Sequence, residues 1–275
     1  MCLLIAMSKV APAEPLIMAA NRDEHYDRPA VAITTLRSRE PRVLGGRDDV
    51  AGGTWMAVNE HGLVAALTNL PSPGGRDVTK RSRGELPLAL AGRPDAAAAV
   101  AWICACVDPS DYNPCWLMVG DRESLFYVDM TSGRRPAARQ LKPGTYVLEN
   151  APLLPQSAKA AHVAGLIAAA RAVPGADVRD ALTTVLRDHS PVPASPPPGE
   201  DPDGAGPPWP AGLSAACVHA EGYGTRSAMI VSVGTSGPPR VLVADGPPCQ
   251  APLADVSDRW TAETDRIAGQ QLAGG

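Results

Sequence analysis

Strand-like and helix-like segments come in blocks along this chain, and that ordering constrains its fold more than any single residue does. Apolar runs at 2–7 and 16–20, separated by Pro12 and Pro15, read as a pair of antiparallel strands. A second pair at 54–58 and 63–68 is joined by Asn59-Glu60-His61-Gly62, a short turn with Gly62 where a positive φ is needed. Helical stretches follow at 83–91 and 94–107, the second with Pro94 in its first turn and an Ala-rich body. Strands return at 115–119, 125–129 and 146–149. Two further helices are expected at 157–172, led by a Ser cap, and at 177–189. Strands at 228–233 and 241–244 complete the core, with a short helix near Trp260. Blocks of strands alternating with blocks of helices imply α+β layers with antiparallel sheets, not a βαβ series. No repeat or linker divides the chain. Residues 2–275 therefore read as a single domain carrying a flexible Pro/Gly-rich surface loop at 191–210.

Composition narrows the function classes. The chain has 275 residues and a formal net charge of -4, so no basic field favours a nucleic-acid partner. Its single Phe also argues against a base-stacking platform. No run is long and apolar enough for a membrane-spanning helix. The apolar N-terminus has no basic n-region and is too short for a signal segment, so a cytoplasmic location is expected. The six cysteines (Cys2, Cys104, Cys106, Cys115, Cys217, Cys249) then default to reduced thiols. There is no C-x-x-C, and the five histidines form no ligand motif. The sequence thus leads us to expect neither metal nor cofactor.

The candidate chemistry starts at Cys2. A residue this small after the initiator allows Met1 to be trimmed, which leaves a thiol and a free α-amine on one residue. An α-amine titrates near ~7.7–8.0, so it can take the proton of its own nucleophile. Alone, a Cys at position 2 is more often only a strand residue. The second strand, however, ends in a dense polar group, Asn21-Arg22-Asp23-Glu24. In extended chain Asn21 and Asp23 share one face, and Arg22 and Glu24 the other. One pair can serve a site and the other a structural ion pair.

Several segments in order resemble the NRDE family, also called the transport and Golgi organization protein 2 family. They are Ala20-Asn21-Arg22-Asp23-Glu24, Gly52-Gly53-Thr54-Trp55, Ala65-Ala66-Leu67-Thr68-Asn69, Arg83-Gly84-Glu85-Leu86, Pro143-Gly144-Thr145-Tyr146 and Gly222-Tyr223-Gly224-Thr225-Arg226-Ser227. More distantly, Asn59-Glu60-His61-Gly62-Leu63, Thr68-Asn69-Leu70-Pro71 and Glu149-Asn150-Ala151-Pro152 resemble segments of choloylglycine hydrolases and penicillin V acylases. Those are N-terminal-nucleophile (Ntn) hydrolases. The resemblance implies a four-layer αββα sandwich with antiparallel sheets and a mature N-terminal Cys2. It also implies that Asp23 orients the amine, that Asn69 and Asn150 supply oxyanion donors, and that a late arginine, Arg226, favours the thiolate. Two departures stand out: Ala20 replaces the arginine that precedes the Asn-x-Asp element, so that Arg22 is one candidate substitute, and Glu149 stands where a small polar residue is common.

Each of these residues also has a structural reading. Asn69 and Asn150 can cap turns, Arg226 can serve an ion pair, and Trp55 fits the core. The leading function is a cysteine amidohydrolase or acyltransferase acting on a small acyl or amide substrate through a carbon–nitrogen or related acyl bond. The alternative is a non-catalytic lipid- or haem-binding or trafficking protein, the class of roles associated with the NRDE family.

Overall fold

The computed structural model describes residues 3–71, 75–173, 175, 177–192 and 213–261. Cys2 and most of the 191–210 loop lie outside the described residues. Among the described residues two antiparallel sheets of seven strands each form the centre. The first runs β10 (Gly144–Leu148), β1 (Leu3–Ala11), β2 (Glu14–His25), β12 (Tyr223–Val233), β13 (Arg240–Ala244) and β14 (Ala254–Asp255), with β11 (His219–Ala220) also paired to β12. The second runs in chain order through β3 (Ala30–Arg37), β4 (Val43–Asp48), β5 (Met56–Asn59), β6 (Val64–Asn69), β7 (Cys115–Gly120), β8 (Leu125–Asp129) and β9 (Ala137–Gln140).

Period-2 alternation explains why the central strands read as unbroken apolar runs. From β1 and β2, Leu4, Ala6, Leu16 and Met18 point between the sheets, where they meet Met56, Val58, Val64, Ala66 and Met118. Their neighbours Leu3, Ile5, Met7, Ile17 and Ala19 point the other way. That outer face is covered by helices α3 (Ala158–Arg171) and α4 (Val178–Leu186) through Val163, Ile167, Leu182 and Leu186. On the second sheet Ala65, Leu67, Leu117 and Val119 face α1 (Glu85–Ala91) and α2 (Ala96–Cys106), which contribute Leu86, Leu90, Val100 and Ile103. The result is the four-layer αββα sandwich expected from the sequence. Truncating one of the fully buried side chains, such as Met18 or Leu4, to alanine should cost about 2–5 kcal/mol.

Local chemistry sets the helix starts. Asp95 caps α2 by accepting from the Ala98 N–H, so the helix begins after Pro94 and not at it. Ser157 caps α3 in the same way, accepting from Ala160. The predicted helix near Trp260 is a single 3-10 turn, Ser257–Trp260. Among the described residues no helix is long and apolar enough to cross a membrane.

Candidate active site

Strand β2 turns from apolar to polar as it leaves the core, and its two faces then do different work. Asn21 stays on the helix side and donates through Nδ2 to the carbonyls of Leu186 (2.9 Å) and Ala216 (2.8 Å). It fastens the strand to the end of α4 and to the segment before β11. Two residues on, buried Asp23 pairs across the sheet with Thr225, whose hydroxyl donates to Oδ1 at 2.6 Å. The Tyr223 hydroxyl donates to the Asp23 carbonyl at 3.0 Å. Arg22 is buried on the opposite face, with its guanidinium 4.6 Å from the centroid of the Trp55 ring. It also lies 3.7 Å from Glu24 and 3.6 Å from Asp48. The alternation read from sequence therefore holds, and Arg22 and Glu24 form the ion pair.

Arg22, Asp23, Asn69 and Asn150 line one cleft of about 640 Å³. Asn69 ends β6 and Asn150 follows β10, so they arrive from different sheets. The Asn150 side-chain amide donates to the Asn69 carbonyl and ties the sheets together at the cleft. Arg226 and Asn21 are not among the lining residues. Arg226 sits in an irregularity of the β2–β12 ladder between Thr225 and Ser227. Its Nη1 donates to the carbonyls of His25 (2.7 Å), Tyr26 (2.8 Å) and Arg28 (3.3 Å), and so braces the turn between β2 and β3.

The electrostatics of the cleft are uneven. Burial pushes the Asp23 carboxyl above its ordinary value, against the opposing pull of Lys159, the Thr225 hydroxyl and Arg22. Desolvation acts on Asp48 in the same direction but is outweighed. The Ala51 and Val50 N–H groups and Arg28 hold Asp48 below the usual carboxylate range.

The profile of the Transport and Golgi organisation 2 family matches residues 1–243 of this sequence. The chain belongs to that family. A human Transport and Golgi organization protein 2 homolog is 29% identical over 243 residues, covering 81% of this chain and 83% of that one. The mouse homolog is 31% identical over 233 residues, again 81% and 83% of the two chains. A bovine homolog is 36% identical over 145 residues, half of each chain. Among solved structures, a Caenorhabditis elegans N-acylethanolamine-hydrolyzing acid amidase ortholog superimposes with a TM-score of 0.51 at 11% identity, over 84% of this chain and 92% of that one. That likeness shows the Ntn-hydrolase fold.

In this Transport and Golgi organisation 2 family member two glycines, Gly53 and Gly84, are packing devices. A Cβ on Gly53 would lie 2.6 Å from the Gly84 backbone, and one on Gly84 would lie 2.8 Å from the Thr54 nitrogen. The Gly-Gly-Thr-Trp and Arg-Gly-Glu-Leu segments thus cross in contact, joined by the Thr54 N–H to Gly84 carbonyl bond at 3.0 Å. This contact forms one wall of the cleft. Asn59, in the Asn-Glu-His-Gly-Leu segment, is buried within its turn. Its Oδ1 accepts from His61 and Leu63, and its Nδ2 donates to Ala91 and Arg93. Glu149, the departure noted above, accepts from the hydroxyl of Ser157, the residue that caps α3.

Lys159 was missed by the sequence reading. It lies in the first turn of α3, buried, and its charge acts on Asp23. Its ammonium has no hydrogen-bond partner among the described residues. The signal was present: Lys159, Val163 and Ile167 recur every four residues on the face that α3 buries. A lysine there costs solvation and needs a reason.

Proposed function

We propose that this protein is an Ntn-type cysteine hydrolase or acyltransferase acting on a linear amide or related acyl bond after Met1 is removed. The observation that carries the reading is the meeting of Asp23, Asn69 and Asn150 at one cleft beside the strand that starts at Leu3. Leu3 pairs with Asn21, and one Cα–Cα step of about 3.8 Å separates it from Cys2. In the reaction the Cys2 thiol loses its proton to its own α-amine and attacks the acyl carbon. Amide N–H groups of Asn69 and Asn150 stabilise the oxyanion. The ammonium returns the proton to the leaving amine as the carbon–nitrogen bond breaks, leaving a thioester on Cys2. Water, or a second amine, then releases the acyl group by the same proton route. Asp23 orients the ammonium. Lys159 supplies positive charge on the Asp23 side of the sheet, the face opposite Ala20, which stands where the choloylglycine-hydrolase pattern has an arginine.

The lining favours an acidic substrate. Arg22, Arg28, Arg76, Arg81 and Arg83 line it with Asp23, Glu24 and Asp48, and Arg81 also pairs with Glu85 at 2.6 Å, so the arginines exceed the carboxylates they meet by one, while Trp55 and Leu67 offer apolar surface. An acyl chain bearing a carboxylate or phosphate fits that balance. The names of the curated relatives refer to transport and Golgi organisation and not to catalysis, which leaves room for a second reading, carried by the family resemblance alone, in which the same cleft binds a lipid or haem without turnover. Activity-based amide and thioester probes separate the two. The hydrolase reading expects a covalent acyl adduct on wild type and none on Cys2→Ala. Reversible binding that is equal in both proteins supports the second reading.

A further inference from the structure

Away from the cleft, four side chains from three separate stretches of chain bring their donor atoms together. His189 follows α4, Cys217 lies just before β11 and His219 is its first residue, and Cys249 lies in the turn after β13. The Cys217 and Cys249 sulfurs are 3.7 Å apart. His219 Nε2 lies 3.2 Å from the Cys249 sulfur and 3.9 Å from that of Cys217. One ligand atom from each of the four residues, His189 included, falls within 4.8 Å of all the others.

We propose that these residues form a structural Cys2His2 zinc site. A tetrahedral ion with Zn–S near 2.3 Å and Zn–N near 2.0–2.1 Å sets donor–donor edges of about 3.3–3.8 Å. The three Cys217–His219–Cys249 separations, 3.7, 3.2 and 3.9 Å, lie within or close to those edges. His189 Nδ1 meets the Cys217 carbonyl at 3.0 Å, the outer contact that fixes a ligating imidazole's tautomer and leaves its lone pair on Nε2. A disulfide is a poor account of the same sulfurs, because a bonded pair sits at about 2.05 Å. A divalent cation held here would keep both sulfurs as thiolates, releasing their protons on binding.

The site has a structural task. The Cys217 N–H donates to the Asp188 carbonyl, and Arg187 Nε donates to that of Pro248, so the ion would clamp contacts that already join α4, β11 and the β13 turn. Next to Cys217, Val218 exchanges bonds with Thr225, and Thr225 holds Asp23. The proposal does not depend on the hydrolase reading, since its readouts are metal content and coordination. It does reverse the sequence expectation that no metal is bound. That expectation rested on local motifs, whereas these ligands are separated in turn by 28, 2 and 30 positions.

The test uses the full chain, expressed without a histidine tag and kept reduced. Metal analysis should find one zinc per chain that survives dialysis. Cobalt(II) substitution should give tetrahedral ligand-field bands with thiolate charge transfer. Cys249→Ser and His219→Asn change exposed ligands and should each weaken zinc binding by about 100-fold or more. Cys106→Ser, an exposed cysteine elsewhere, should leave binding unchanged. The cobalt spectrum is read on wild type, so it decides the matter even if a variant fails to fold. Absence of zinc uptake, an octahedral spectrum without thiolate charge transfer, unchanged affinity in Cys249→Ser, or a Cys217–Cys249 disulfide in the reduced preparation would each overturn the proposal.

Discussion

Thr225 donates its hydroxyl to Asp23 Oδ1 at 2.6 Å, across 202 positions of sequence. The Thr225 hydroxyl oxygen in turn accepts from the Val218 N–H at 2.9 Å, so one side chain joins β2, β12 and the approach to β11. Thr225→Val would leave a buried carboxylate oxygen and a buried N–H without this partner, at a cost of about 1–3 kcal/mol for each orphaned group. Thr225→Ser should recover most of the loss. Urea unfolding of the two variants checks this, and equal stability would show that the bond contributes little.

Asp23 is expected to be a residue kept at the expense of stability. Its folded pKa is raised by burial, so its contribution is fully present below the ordinary carboxylate value of ~3.9 and is lost as pH rises through the folded value. At neutral pH the ionised form is therefore a liability. Asp23→Asn should raise Tm relative to wild type at pH 7, with the gain shrinking toward pH 4, while turnover is lost. A gain that is absent at pH 7, or larger at pH 4, would count against this assignment.

Lys159→Met should retain the fold, since methionine fills a similar volume on the buried face of α3. Without the ammonium, Asp23 becomes harder to ionise. The acid limb of the pH–rate profile should then move to higher pH, and neutral turnover should fall. An unshifted profile would reduce Lys159 to a packing role.

Arg226→Ala separates bracing from catalysis. Three backbone carbonyls of the β2–β3 turn lose their shared donor, which should cost roughly 1–3 kcal/mol. Turnover measured well below Tm should stay within a few-fold of wild type. A large fall in kcat with unchanged Tm would instead put Arg226 among the reacting groups.

Much of the architecture is legible in the sequence because it follows from alternation and caps. Strands β1, β2, β6 and β7 are buried on both faces and read as apolar runs, and Ser157 marks the start of α3 where expected. Of the strands the reading missed, β9 is exposed throughout and carries no apolar pattern, whereas β3 is rich in apolar and β-branched residues and β4 is buried over Val43, Leu44, Gly45 and Gly46, so both carried a signal that went unread. Arg226 shows a different limit. The irregularity after Thr225 interrupts the β2–β12 register, so a motif read as simple extended chain does not tell where that side chain goes. The cleft neighbours Asn69 and Asn150 were found by resemblance, because no local pattern links strand ends 81 positions apart. Lys159 was readable as a charge on an apolar helix face.

The central claim is that Cys2 attacks with its own α-amine as base, and it is tested most directly by extending the N-terminus by one residue. The extended chain should melt like wild type, since its core begins at Leu3. It should fail to form the acyl adduct that the mature, Met1-free protein forms on Cys2 with an amide or thioester probe, as read by intact mass. His61→Ala should still form it, since His61 lies in an exposed turn 3.8 Å from Glu40 and does not line the cleft. Full acylation of the extended chain at the wild-type rate would contradict the N-terminal-nucleophile mechanism.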